Sequence, residues 1–337
     1  MDEADSHRRR VTVMAACGGQ IVYCQGFGMA DRAAGVHTGC DTVYDVMSIT
    51  KQFTAAAILK LEMMGKLRVT DPIGSHLGPV PADKEPITLH QLLTHTAGLV
   101  EGLGDDYDVL SRDDLLARAL ASKLHSAPGA GFHYSNVGYS VLAAIIEKVS
   151  GVGYERFLAE HLFVPAGMTQ TGYVLPKWAG DQVAVEYDDK GDGQGKPVDH
   201  PWAPDGPYWN LRGNGGMLST ARDMLRWHRA LSGTGVLSEA AKRQLFSPHV
   251  RIPESEEFYG YGWVISDTGH GRIAWHDGGN SWSFANFARS LDDGVMVFWV
   301  SNHAYQQGKW NLEDLQQTLT SGITCRARRQ AEASAYL

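Results

Sequence analysis

The chain has 337 residues, 43% of them hydrophobic and 20% charged, which is the composition of a globular protein with a substantial core. Its formal net charge of −8 lacks the basic surplus typical of nucleic-acid binders, so we expect no nucleic-acid partner. No stretch is apolar enough to predict a membrane span. The opening residues, MDEADSHRRR, do not resemble a signal peptide. As given, the sequence predicts a cytoplasmic protein, and a periplasmic or secreted one stays open if a leader was removed.

The first predicted element is a hairpin, with strands at 11–16 and 21–27 around Gly18-Gly19. Pairing around this turn separates Cys17 from Cys24, so we expect no disulfide between them. The four cysteines, Cys17, Cys24, Cys40 and Cys325, form no CxxC and no zinc-type spacing with histidine. We therefore expect free thiols, which fit a reducing compartment.

The next element is a helix that starts at Ser48, with the sequence SITKQFTAAAILKLEMMGKL. It is apolar on more than one face, which predicts a buried helix. Residues 70–180 are predicted to be mainly helical, with helices at 113–122 and 139–149. Residues 188–216 are rich in Gly, Pro, Asp and aromatic residues, and they predict a long irregular segment of functional importance.

The last third of the chain alternates between apolar and polar residues, which predicts an antiparallel meander. Its strands are predicted at 259–266, 272–276, 283–290 and 295–301, followed by a helix at 312–319. Strands at both chain ends predict an α/β (α+β) fold, in which an antiparallel sheet flanked by helices carries an inserted, mainly helical domain. We predict the α/β domain at 1–67 and 222–337, the helical domain at 68–221, and the active site between them.

The first candidate catalytic motif is Ser48-Ile49-Thr50-Lys51. Residues three apart share one face of a helix, so the Lys51 amine can reach the Ser48 hydroxyl. A lysine can accept the serine proton only if its pKa falls from about 10.4 toward 7, which requires roughly 4 kcal/mol of differential interaction. Burial in an apolar helix supplies such desolvation. The alternative is a helix-capping serine beside an exposed lysine.

The second motif is Tyr134-Ser135-Asn136, followed by the apolar segment GYSVLAAIIEKVSG, which predicts a helix that holds the motif rigidly. A tyrosine near a cationic lysine can serve as a proton shuttle, and an asparagine amide can orient the lysine or a substrate carbonyl. The tripeptide also occurs at 208–210, and the alternative is a loop tyrosine beside a turn.

The third motif, His276-Asp277-Gly278-Gly279, follows a predicted strand. Glycines there permit close backbone approach to a ligand, and their N–H groups can join that of Ser48 in an oxyanion hole. The alternative is a hairpin turn with a surface histidine.

In this order the three motifs resemble those of the serine β-lactamase and penicillin-binding-protein superfamily, specifically the class C β-lactamase-like serine hydrolases. Three further segments are similar to family segments: LLTHTAGL at 92–99, GGMLSTARDMLRWHRAL at 215–231 and YGYGW at 259–263. The resemblance covers most of the chain. We expect His95 in the first segment to support the loop around Gly98 and not to contact substrate.

The resemblance implies that Ser48 forms an acyl-enzyme and that Lys51 and Tyr134 share the acid–base work, with the base left open between them. The N–H groups of Ser48 and Gly279 would form the oxyanion hole beside Gly278. Asn136 would hold the substrate amide or the Lys51 ammonium. Trp202, Tyr208, Trp209 and Trp282 are candidate pocket-lining residues.

His276 stands where β-lactamases and penicillin-binding proteins usually have a lysine, and a neutral histidine attracts a substrate carboxylate less strongly. We therefore predict a serine hydrolase that cleaves small carboxylic esters or amides, as an esterase or a D-amino-acid peptidase does. The alternatives are a β-lactamase, a penicillin-binding DD-peptidase, or a non-catalytic penicillin-binding sensor or scaffold. We expect no metal and no cofactor, since HExxH and a phosphate-binding glycine loop are absent from the sequence. The partner would be a small-molecule ester, amide or peptide, and the oligomeric state stays open.

Overall fold

The computed structural model describes residues 10–268, 271–306, 310–314 and 316–335. The strands are β1 Val11–Cys17, β2 Gln20–Phe27, β3 Met29–Asp31, β4 Val36–His37, β5 Tyr44–Asp45, β6 Glu186–Tyr187, β7 Gly193–Gly195, β8 Trp202–Ala203, β9 Gly206–Pro207, β10 Leu218–Ser219, β11 Val250–Arg251, β12 Phe258–Tyr259, β13 Val264–Thr268, β14 Gly271–Gly279, β15 Phe284–Ser290, β16 Met296–Ser301, β17 Tyr305–Gln306 and β18 Trp310–Asn311. The α-helices are α1 Thr50–Met63, α2 Gly74–Leu77, α3 Leu89–Leu93, α4 Arg112–Ala121, α5 Asn136–Ser150, α6 Tyr154–Leu158, α7 Val164–Ala166, α8 Ala221–Ser232, α9 Glu239–Leu245 and α10 Gln316–Ala335. Shorter helical turns lie at Met47–Ile49, Ala159–Phe163 and Pro197–Asp199.

The main sheet has eight antiparallel strands in the order β11-β12-β13-β14-β15-β16-β1-β2. Strand β1 pairs with β16 from Val11 opposite Ser301 to Ala16 opposite Met296. The sheet is therefore assembled from both ends of the chain, which confirms the predicted fold class.

Helices cover both faces of the sheet because the side chains of β16 alternate between two cores. Met296, Phe298 and Val300 point into the larger core, which contains α1 and α8. Val297 and Trp299 point into the second core, under α10. The predicted terminal helix at 312–319 has the wrong bounds, because Leu312 N donates to the Ala304 carbonyl at 3.1 Å in a turn before α10 begins.

Most of the chain between the two sets of sheet strands is helical or irregular. Segment 188–216 contains short ladders, β6 with β7 and β8 with β9, among its turns. Thr220 caps α8 by accepting a hydrogen bond from Asp223 N. The division at 68–221 stays a prediction, and residues 1–9 of the first predicted domain lie outside the described residues.

One prediction about the cysteines is wrong. Cys24 and Cys40 form a disulfide, with their Cα atoms 6.1 Å apart. In the hairpin Cys24 lies opposite Met14, and the chain returns past β3 and β4 to bring Cys40 beside it. Cys17 is free, as expected, and the side chain of Cys325 lies outside the described residues. Within the described part of the chain, no helix combines the length and the apolar character needed to cross a membrane.

Candidate active site

A cavity of about 700 Å³ lies where the 100–107 loop, the start of α5 and the end of β14 meet. Five residues singled out in the sequence line it: Ser48, Tyr134, Asn136, Gly278 and Gly279. Lys51 and His276 are buried directly behind them. The fold thus brings the three sequence motifs to one place.

Ser48 lies on the short helical turn that precedes α1. Met47, the residue before it, has φ +47°, a left-handed conformation that costs a side-chain-bearing residue about 1–3 kcal/mol. The buried Asp45 carboxylate holds this backbone by accepting a hydrogen bond from Met47 N at 2.6 Å. The strained turn presents Ser48 to the cavity while α1 continues into the core.

Lys51 lies one helical turn further on, with no exposed surface. Its Nζ donates to Ser48 Oγ at 2.9 Å and to the Asn214 carbonyl at 2.8 Å. Burial lowers the pKa of Lys51 to about 7, although the charges of Asp106, Asp277 and Glu101 act in the opposite direction. Near neutral pH a large fraction of this amine is unprotonated and in contact with the serine hydroxyl.

Tyr134 stands on the other side of the serine. The Lys51 Nζ lies 4.9 Å from its ring centroid. Burial raises the pKa of the Tyr134 hydroxyl well above its usual value, and the hydrogen bond with Ser48 only partly opposes this. Tyr134 therefore stays protonated near neutral pH, as a donor.

His95 holds the loop that carries Tyr134 in place. Its ring lies 4.2 Å from that of Tyr134, its Nδ1 accepts from Ser135 N at 3.0 Å, and its carbonyl accepts from His133 N at 2.7 Å. Ser135 in turn caps α5 by accepting from Gly138 N. His95 is buried and is not among the residues that line the cavity, which fits the supporting role expected for it.

Asn136 Oδ1 forms no hydrogen bond with the Lys51 amine, which is one of the two partners left open for this residue. The Asn214 carbonyl is there instead, and the Asn214 side chain is anchored by Nδ2 to Ser140 Oγ at 2.8 Å and to the Asn210 carbonyl at 2.7 Å. Asn136 lines the cavity, and its Oδ1 is buried without a hydrogen-bond partner among the described residues. Its side chain remains available for a substrate amide.

His276 is only 2% exposed and both of its ring nitrogens are engaged. Nδ1 lies 2.5 Å from the Asp277 carbonyl, which can only accept, so Nδ1 carries the proton and Nε2 accepts from the Tyr259 hydroxyl at 2.9 Å. Burial and the nearby Lys51 charge lower the pKa of His276 to about 3. The histidine is therefore neutral and fixed, with its ring centroid 6.4 Å from that of Tyr134.

The end of β14 passes directly over the nucleophile. A Cβ at Gly278 would lie 2.7 Å from Ser48 N, so only glycine lets the strand come this close. Gly279 follows, paired with Phe284 on β15. Ser48 and Gly279 both line the cavity.

Sequence reasoning missed two features of the site. The Asn214 carbonyl belongs to the run Gly213-Asn214-Gly215-Gly216. The glycines of this run allow the backbone to approach a neighbour closely, and they were the only indication in the sequence that this backbone takes part in the site. The carboxylates that line the cavity were also missed. Among the aromatic candidates, Trp282 lines the cavity, together with Tyr107, which was not predicted. Trp209 is instead buried, with the Arg212 guanidinium 5.1 Å from its ring centroid.

Comparison with known proteins agrees with this geometry. The profile of the beta-lactamase family matches residues 2–320. Penicillin-binding protein 4* of Bacillus subtilis is 30% identical over 314 residues, which cover 88% of this chain and 69% of that protein. Esterase EstB of Burkholderia gladioli is 35% identical over 219 residues, 58% of this chain and 54% of the esterase.

Among solved structures, a penicillin-binding protein from Bacillus halodurans superposes with a TM-score of 0.77 at 27% identity, covering 91% of this chain and 96% of that one. The match extends over both the sheet and the helical region. The fold, the assembled motifs and the family profile all agree. The chain belongs to the beta-lactamase family of serine hydrolases.

Proposed function

We propose that this protein hydrolyses small carboxylic esters or amides through an acyl-enzyme on Ser48. The observation that carries the proposal is the 2.9 Å contact between Lys51 Nζ and Ser48 Oγ, in a setting that lowers the pKa of the lysine to about 7. A general base is most effective when its pKa lies near the working pH.

In the proposed first step, neutral Lys51 takes the Ser48 proton as Oγ attacks the substrate carbonyl carbon. The N–H groups of Ser48 and Gly279 stabilise the resulting oxyanion. When the intermediate collapses, the leaving group takes a proton from the protonated Tyr134, which is reprotonated from the Lys51 ammonium. Water then attacks the acyl carbon and gives a proton to Lys51. The bond between the acyl carbon and Ser48 Oγ breaks, Oγ takes that proton back from the Lys51 ammonium, and the carboxylic acid leaves.

Two features support esters or simple amides over penicillins as substrates. His276 is neutral, and the residues that line the cavity include no lysine, arginine or histidine within the described part of the chain. A β-lactam carboxylate therefore meets no cation on the wall. EstB is named as an esterase, and its similarity to this chain supports the same assignment. The alternative, suggested by the name of the Bacillus relative, is stable acylation by penicillin without turnover.

The test is mass spectrometry of the intact protein after exposure to chromogenic esters, D-aminoacyl amides and a penicillin. We expect p-nitrophenyl acetate to give a transient adduct on Ser48 and continuous release of nitrophenol. In Ser48→Ala both adduct and turnover should disappear.

A matched control is Ser281→Ala, because Ser281 is another serine on the wall of the same cavity. The adduct should persist in that variant. Full esterase activity in Ser48→Ala would contradict the proposal, and a lasting penicillin adduct with no ester turnover would favour the sensor alternative.

A further inference from the structure

The wall of the cavity is strongly acidic. Five carboxylates line it: Glu101, Asp105, Asp106, Asp277 and Glu313. The lining residues of the described chain offer no cationic side chain to balance them. A pocket with one sign of charge raises the local concentration of ligands of the opposite charge.

Two of these carboxylates have no partner of their own. Glu101 and Asp106 form no ion pair with any lysine or arginine that the structure describes, whereas Asp105 Oδ1 accepts a hydrogen bond from Tyr107 N at 3.0 Å. Their charges reach the reacting centre, since Asp106, Asp277 and Glu101 are the groups that act on Lys51. Burial and, next to it, the charge of the neighbouring Asp105 raise the pKa of Asp106. A cation bound among these groups would relieve their mutual repulsion.

An aromatic wall lies beside the acids. Tyr107 stacks on His200 with ring centroids 4.4 Å apart, and His200 stacks on Trp282 at 4.8 Å. Tyr107 and Trp282 both line the cavity. The faces of tyrosine and tryptophan rings attract ammonium groups, and most strongly where water is partly excluded.

Together these features point to the charge of the substrate. We propose that the ester or amide cleaved at Ser48 carries an ammonium group, which is held between Glu101, Asp106 and the Tyr107–Trp282 wall. This inference rests on the proposed function and narrows it to cationic substrates. The same field opposes carboxylate-bearing substrates, because like charges across a binding surface disfavour association.

The test uses ester pairs of nearly the same shape and different charge. For a cation in the acyl group, p-nitrophenyl 4-(trimethylammonio)butyrate is compared with p-nitrophenyl 5,5-dimethylhexanoate. For a cation in the leaving group, acetylthiocholine is compared with S-(3,3-dimethylbutyl) thioacetate. At low ionic strength we expect kcat/KM to favour the cationic member at least about tenfold in one of the two pairs, with the preference shrinking as salt is added.

The residues are tested with the isosteric double variant Glu101→Gln/Asp106→Asn. The readout is the cationic-to-neutral ratio of kcat/KM, so a general loss of activity cancels. We expect the ratio to fall toward one. Asp113→Asn is the matched control, because its carboxylate is 81% exposed on α4 outside the cavity, and it should keep the wild-type ratio.

The outcomes separate the two proposals. Turnover of neutral esters that depends on Ser48, with a ratio near or below one in both pairs, would overturn the cationic preference and leave the hydrolase intact. A ratio above ten that persists in the double variant would overturn the assignment to Glu101 and Asp106. If none of the four esters acylates Ser48, both the preference and the hydrolase proposal fail.

Discussion

The protonation state of Lys51 depends on two opposing influences on the pKa of its amine. Desolvation lowers the pKa of its amine, the carboxylates of the cavity oppose this effect, and the net result is a pKa of about 7. The Asn214 carbonyl and the Ser48 hydroxyl hold the amine in place in either protonation state, since both can accept a hydrogen bond. Burial raises the pKa of Tyr134, so its hydroxyl stays protonated near neutral pH.

We therefore predict a simple pH dependence for the hydrolysis of a neutral ester. In the proposed mechanism the deprotonated form of Lys51 is the base, so kcat/KM should rise with pH and level off above a midpoint near 7. Lys51→Arg should lower kcat/KM by about 10²–10⁴, because a guanidinium stays protonated in this range. Stopped-flow or steady-state pH–rate profiles check both, and a flat wild-type profile between pH 5 and 9 would contradict the assignment.

At the scale of elements, the site depends on how closely β14 passes the turn before α1. Gly278 is the point of contact, where a Cβ would lie 2.7 Å from Ser48 N and 2.7 Å from the Val46 carbonyl. Both neighbours are backbone atoms, which cannot move aside as a flexible side chain can. The distance between β14 and the turn that carries Ser48, and with it the spacing of the proposed oxyanion hole, therefore depends on the absence of a side chain at Gly278.

Gly278→Ala should push β14 away from the nucleophile and lower kcat by about 10²–10³, the usual loss when an oxyanion-hole donor is misplaced. Gly131→Ala is the matched control, because nothing lies within 4 Å of the added Cβ and its φ is not in the left-handed region. Steady-state kinetics measures the loss, and far-UV circular dichroism checks that the variant is folded. Unchanged kcat in Gly278→Ala would show that the hole lies elsewhere.

The elements that could be predicted from the sequence are those set by local pattern. The 3-residue spacing of Ser48 and Lys51 and the apolar run after them predict a buried helix that carries both. The Asn214 carbonyl could not be predicted in this way. It is a backbone atom 163 residues from Lys51, and its position follows from tertiary packing rather than from side-chain type. The acidic wall is equally non-local, since loop 101–107, Asp277 and Glu313 meet only in the folded chain.

At the scale of the whole molecule, buried histidines link stability to pH, and three of those that the structure describes serve as examples. Burial lowers the pKa of His228 and His276 to about 3 and that of His303 to about 4. All three are at most 4% exposed. They have no effect on stability above the unfolded pKa of about 6.5, where both states are neutral. As the pH falls below it, the unfolded chain binds protons that the folded chain does not, so the folded state loses stability until the folded pKa is reached.

The free energy of unfolding should therefore fall between pH 7 and pH 5, by up to about 2 kcal/mol for each of these histidines. His228→Gln removes one titrating imidazole and should make the decline shallower. The exposed His37 provides the control His37→Gln, which should leave the slope as it is. Urea titrations at the two pH values measure the difference, and equal slopes for His228→Gln and wild type would contradict the expectation.

The pairing of β1 with β16 has a consequence for how the molecule is made. Val11 can pair with Ser301 only after synthesis has reached Ser301, and closing such a long loop is a slow, entropically costly step in folding. The same holds for Ser48, whose backbone N lies close to Gly278 in the folded protein although the two residues are far apart in the sequence. A nascent chain on the ribosome can form the helix that carries the nucleophile long before β14 exists to cover it. If acylation of Ser48 needs the assembled site, as proposed, we expect it only after β14 has packed against the turn that carries Ser48.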